Sequence, residues 1–133
     1  MHEPKLRGYF GIGAERISKA MNLGTLMRTA HAFGASFAFV VDATYAVREA
    51  KSDTSEAAGQ LPIYDVPDAA SLHLPKKCRL IGVELTDIAV DLPSFRHPTQ
   101  AAYVLGPERG ELSAEMQARC DHIVRIPTRF CVN

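Results

Sequence analysis

Two hydrophobic patterns succeed one another along this chain. Short continuous apolar runs mark strands, and stretches with apolar residues three and four apart mark helices. Gly8 to Ile12 is a short, aromatic, glycine-flanked strand. Ser18 to Phe33 places Leu23, Leu26, Met27 and Ala30 at helical spacing, and Gly34 stands where a capping glycine ends a helix. Phe37 to Val41 is apolar throughout, as in a strand buried on both faces. Thr54 to Ala58 is weakly helical, Leu61 to Val66 is a short strand, and Pro67-Asp68 opens a helical turn through Leu72. Strands follow at Arg79 to Leu85 and Ala101 to Leu105. Ser113 to Arg119 is a helix with Ser113 as N-cap and Met116 facing inward, and His122 to Ile126 is a last strand closed by Pro127. Strands alternating with helices predict an α/β fold, a mostly parallel sheet flanked by helices, with ligands bound beyond the carboxyl ends of the strands.

Length and composition narrow this picture. The 133 residues fit a single domain over 1–133, and 47% apolar with 23% charged residues excludes a disordered, collagen-like or coiled-coil chain. No apolar run is long enough to span a bilayer, and no signal-peptide core follows Met1, so a reduced, cytoplasmic setting is expected. Cys78, Cys120 and Cys131 are odd in number and widely spaced, and the five histidines are scattered, which argues against a disulfide framework or a metal site. Zero net charge disfavours indiscriminate coating of nucleic acid. Charge is nevertheless uneven: residues 1–29 carry five basic against two acidic side chains, and Lys5, Arg7, Arg16, Lys19 and Arg28 suit an anionic ligand near the first strand and helix. A merely solvated surface would look the same.

Four segments could carry chemistry. Gly11-Ile-Gly13-Ala-Glu-Arg16 imitates the start of a dinucleotide fingerprint, but Arg16 replaces its third glycine. Asn22-Leu-Gly24-Thr-Leu-Met-Arg28-Thr29 sits at a helix start, where an anion is favoured and Gly24 permits close approach. Taken alone it reads better as an Asn cap, a packing glycine and a surface arginine. Leu105-Gly106-Pro107-Glu108-Arg109-Gly110-Glu111-Leu112 is a strand ending in a tight turn that presents a carboxylate and backbone amides. Ile126-Pro127 through Cys131-Val132-Asn133 ends the chain.

In this order the last three segments resemble the SpoU (TrmH-like) family of RNA ribose methyltransferases, in the SPOUT superfamily. Asn22, Gly24, Arg28 and Thr29 meet its first motif. Gly106, Glu108 and Leu112 meet the second, with Gly110 one position early, and Ile126, Pro127 and Asn133 meet the third, with Cys131 in place of serine and Val132 in place of leucine. The resemblance implies a deep trefoil knot in the C-terminal half, S-adenosylmethionine as cofactor, a homodimer with sites built from both subunits, and a ribose 2′-hydroxyl of tRNA or rRNA as substrate. It implies Arg28, Asn22 and Glu108 as the catalytic set. Arg28 would act at the hydroxyl, oriented by Asn22 and Glu108. Because a guanidinium keeps its proton, Arg28 suits fixing a phosphate and stabilising alkoxide charge better than acting as a base. Leu85, Gly106, Ile126, Cys131 and Asn133 would hold the cofactor, without a metal. The family pattern continues past Asn133 into a helix that completes the knot and the dimer, so the knot is expected to be truncated here. The alternative is a knotted RNA- or partner-binding protein that transfers no methyl group.

Overall fold

The computed structural model describes residues 9–43, 61–86 and 88–127. In β2 (Phe37–Val41) all five residues are buried. Phe37, Phe39 and Val41 enter one apolar cluster, while Ala38 and Val40 enter clusters on the opposite face. A strand without a polar side requires cover on both faces of its sheet. Around it stand β1 (Tyr9–Glu15), β3 (Ile63–Val66), β4 (Arg79–Val83), β5 (Val90–Asp91), β6 (Gln100–Leu105) and β7 (His122–Arg125). Their spatial order is β3-β2-β1-β6-β4-β7-β5, and every pairing is parallel. The expected parallel α/β architecture is thus present.

Helix α1 (Ala20–Ala32) covers one face, where Leu23 and Met27 pack with Ala14, Ile17 and Val40. The other face is closed by a 3₁₀ turn at Ala69–Ser71 and by α2 (Ala114–Arg119). There Ala69, Leu72, Leu112 and Met116 pack over Leu80, Ala102 and Val104. Among the described residues no helix is long and apolar enough to cross a membrane.

Several boundaries differ from the expected ones, for identifiable reasons. α1 begins at Ala20 rather than Ser18, because the Ser18 and Lys19 amides bond to a carboxylate from another loop. Gly34 closes the helix as expected, in the left-handed region at φ 79°. β1 runs on to Glu15 because Gly11 and Gly13 lie within the strand. A Cβ on Gly11 would fall 2.2 Å from Phe37 Cζ, and one on Gly13 would fall 2.4 Å from the Phe39 carbonyl oxygen. Both glycines make room for aromatic neighbours, so neither belongs to a phosphate-binding turn. The turn after Pro67 is a single 3₁₀ turn, with the Asp68 carboxylate accepting from the Ser71 N–H at 2.8 Å and hydroxyl at 2.7 Å. β4 and β7 stop at Val83 and Arg125, short of Leu85 and Ile126. Ser113 caps α2 as expected, accepting from the Met116 N–H at 3.0 Å. The two-residue β5 had no periodic signature. The helix expected at Thr54 to Ala58 lies outside the described residues, as do Cys131 and Asn133.

From β1 the chain moves outward to β2 and β3, then crosses to β4 and the edge strand β5, and finally inserts β6 between β1 and β4 and β7 between β4 and β5. The direction reverses between β1 and β6, and their carboxyl ends form the crevice where open α/β sheets hold ligands.

Candidate active site

Two loops meet at that crevice. One leaves β1 through Arg16, in the left-handed region at φ 58°. The other leaves β6 through Gly106 and Pro107 and carries Glu108. The Glu108 carboxylate reaches back to the start of α1. One oxygen accepts from the Ser18 N–H and from the Ser18 hydroxyl, each at 3.1 Å. The other accepts from the Lys19 N–H at 3.1 Å and from Asn22 Nδ2 at 3.0 Å. Glu108 therefore supplies from a distant loop the anionic cap that the Lys19 side chain does not give. Partial burial alone would raise the Glu108 carboxyl, but hydrogen bonds from Asn22 and Ser18 outweigh it and hold the group at about 2. A carboxylate that acidic is a poor base at neutral pH, and its chemistry here is to fix α1 against the β6 loop.

The rest of the loop is tied down as firmly. The Arg16 guanidinium donates to the Glu111 carbonyl. The Leu112 N–H donates to Glu84 at 2.6 Å. Ser113 donates its N–H at 2.8 Å and its hydroxyl at 2.5 Å to Glu15, a buried carboxylate at the end of β1. Gly110, at φ 98°, makes the turn that these ties need. A cavity of about 470 Å³ opens beside the loop, lined by Arg16, Ser18, Lys19, Asp42, Pro107, Glu108 and Arg109. Arg16 Nε is buried with no hydrogen-bond partner among the described residues. An unpaired guanidinium N–H at such a cavity is a donor that an anionic ligand would satisfy.

The structure joins Asn22 to Glu108 but not Arg28 to either. Arg28 lies about 9 Å further along α1. It is exposed, and its Nη2 donates to Thr25 Oγ1 at 3.4 Å. Leu85, Gly106 and Ile126 follow the ends of β4, β6 and β7, which are consecutive in the sheet. They therefore gather at the same end as Glu108. Leu85 and Ile126 are exposed at 61% and 55%. A Cβ on Gly106 would lie 3.2 Å from the Leu112 nitrogen and 3.5 Å from Glu84, so a larger residue would crowd the loop where it closes. The roles of Glu15, Ser18 and Glu84 had no local signal in the sequence. Arg16 was visible as part of the basic excess near the first strand and as a misplaced residue in a glycine motif, but its bond to Glu111 was not, because that partner lies 95 residues further along the chain.

The sequence model of the SpoU rRNA Methylase family matches residues 10–133. Over 121 residues the chain is 34% identical to the Mus musculus tRNA (guanosine(18)-2′-O)-methyltransferase TARBP1, a match that spans 86% of this chain and 8% of that protein. An rRNA methyltransferase from Sinorhizobium meliloti superimposes with a TM-score of 0.81 at 23% identity, over 92% of this chain and 49% of that one. The SpoU methyltransferase AviRb from Streptomyces viridochromogenes, solved in complex with AdoMet, superimposes with a TM-score of 0.77 at 26% identity, over 96% of this chain and 52% of that one. The chain thus corresponds to about half of each of these two solved structures and to a small part of the mouse protein. With nearly its whole length matched by the family model, and with the Asn22 and Glu108 motifs bonded to each other over a parallel sheet, this chain belongs to the SpoU rRNA methylase family.

Proposed function

We propose that this chain is an S-adenosylmethionine-dependent methyltransferase acting on a ribose 2′-hydroxyl of tRNA or rRNA. The observation that carries the reading is the clamp of Ser18, Lys19 and Asn22 on Glu108, beside the strand ends that bear Leu85, Gly106 and Ile126. The residues present fit the cofactor. Exposed Leu85 and Ile126 offer an apolar shelf for an adenine ring, and the tight Gly106 turn brings backbone groups within its reach. When bound, the cofactor supplies an electrophilic methyl group carried on a sulfonium. The protein's part is alignment and charge. Arg16, Lys19 and Arg109 give the cavity beside Glu108 cations suited to the phosphates flanking a ribose. Arg28 would fix a phosphate or stabilise the developing alkoxide.

The same reading includes a trefoil knot and a homodimer. The knot is supported by strand order, because β7, the last strand, lies between the earlier β4 and β5. The dimer is supported by Met21 on α1 and Phe33 at its C-cap, exposed at 77% and 75%.

Calorimetric titration with S-adenosylmethionine, followed by transfer of labelled methyl groups to bulk tRNA and rRNA, tests the proposal. Ribose 2′-O-methylation blocks alkaline cleavage, so the label should emerge in alkali-resistant dinucleotides. Label in single nucleotides would place the methyl on a base, and cofactor binding without transfer would favour the RNA- or partner-binding alternative. Arg28→Ala should lower transfer by about a hundredfold or more while leaving cofactor affinity intact. Equal loss of both would make Arg28 a structural residue.

A further inference from the structure

A second cavity, of about 510 Å³, opens along β2 and β3 on the sheet face opposite α1. Its walls are aromatic. Phe37 and Phe39 on β2 are buried core residues, their ring centroids 6.1 Å apart. Tyr64 on β3 shares their face, stands 6.3 Å from Phe37 with its ring at 68°, and is 56% exposed. Leu74 and Pro75 close the cavity from the loop after the 3₁₀ turn, with exposed His73 beside them.

The rim is basic. Pro75 leads directly into Lys76 and Lys77, with Arg79 just beyond, and all three are exposed. Lys77 sits at φ 68°, at the tip of a turn closed by the Cys78 N–H donating to the Pro75 carbonyl at 3.0 Å. The nearby carboxylates are already engaged. Asp121 lies 3.8 Å from Arg79 and accepts from the Leu80 N–H, and Asp68 accepts from Ser71. Asp68 and Asp65 keep their charge on neighbouring elements, so Lys76 and Lys77 contribute as local cations of the turn that follows Pro75.

An exposed ring over an apolar wall, with lysines on the adjoining turn, has the components that hold single-stranded RNA. Bases stack on the aromatic face and phosphates meet the cations. We propose that this groove binds an unpaired nucleotide of the RNA whose ribose is presented to the Glu108 site, an inference that rests on the function proposed above. The cavity is within the size range of sites for small organic ligands, so it admits one nucleotide rather than a duplex. β2 connects the two sites. Phe39 lines this groove, and Asp42, about 10 Å further along the chain, lines the cavity at Glu108.

The test uses the full chain, with fluorescence anisotropy of a labelled oligouridylate of about twelve nucleotides and of bulk tRNA. Tyr64→Ala should weaken oligouridylate binding about tenfold, with Tyr64→Phe restoring it, since the ring rather than the hydroxyl does the stacking. Replacing Lys76 and Lys77 together by alanine should lower the slope of log affinity against log salt by about 1.4 on the oligouridylate. S-adenosylmethionine affinity should be unchanged in every variant, which also certifies their folding. If the unmodified chain binds both RNAs and the variants match it, the groove inference fails while the methyltransferase reading stands. If only the lysine variant weakens, the cations act without stacking and the groove is likewise overturned. If the unmodified chain binds neither RNA, the RNA substrate reading fails and takes this inference with it.

Discussion

Glu108 is the residue on which two motifs depend, and its contribution can be isolated by pH. In Glu108→Gln the side chain loses its charge and one of its two accepting atoms, at a helix N-terminus that supplies several donors. A cost of about 1 kcal/mol at neutral pH follows from capping energetics. The folded carboxyl is held near 2, against an ordinary 4.5. A depressed value means the carboxylate's stabilisation is complete above 4.5 and is lost as pH falls toward 2. Urea midpoints of the two proteins should therefore differ most at neutral pH and converge between those values. A constant difference down to pH 3 would mean that the charge contributes nothing and that only the shape of the side chain matters. The sequence made Glu108 conspicuous as a carboxylate in a Gly-Pro turn. It could not reveal the partners, since Ser18 and Asn22 come close only when β1 and β6 pair.

At the scale of elements, strands buried on both faces were the most legible part of the fold. Their chemistry is continuous, as in Phe37–Val41, and needs no knowledge of neighbours. Ends were less legible, because tertiary bonds decide them. α1 starts where Glu108 caps it, and β1 extends through glycines that only cross-strand packing explains. Those glycines give a graded prediction. The nearest atoms to a Cβ at Gly11 are ring atoms of Phe37, the far end of a side chain. A Cβ at Gly13 also meets the Phe39 carbonyl oxygen at 2.4 Å, and backbone held in a parallel ladder cannot yield. Gly13→Ala should destabilise by about 3 kcal/mol, and Gly11→Ala by clearly less. Chemical denaturation of both variants checks this. Equal losses would mean that the β1–β2 ladder itself gives way at either position.

For the whole molecule, the parallel arrangement followed from strand–helix alternation, whereas the strand order did not, because nothing local says that β7 inserts between β4 and β5. That order collects Leu85, Gly106 and Ile126 at one end, while Arg28 stays exposed on α1 with its guanidinium donating to Thr25. If a site needs both Glu108 and Arg28, a second copy of the chain is the natural way to unite them, and mixing variants decides whether it does. Arg28→Ala and Glu108→Gln proteins should each transfer little methyl alone. In a mixed dimer with composite sites, the intact Glu108 of one copy faces the intact Arg28 of the other, and one of the two sites is whole. Co-refolded equal mixtures should then recover about a quarter of the unmodified activity, since half of the dimers are mixed and each has one working site. If both residues serve the same copy's site, no mixed dimer contains a complete one. Activity would then stay at the level of the separate variants, and the Arg28 role would have to be fulfilled within a single chain, by movement of the side chain away from Thr25.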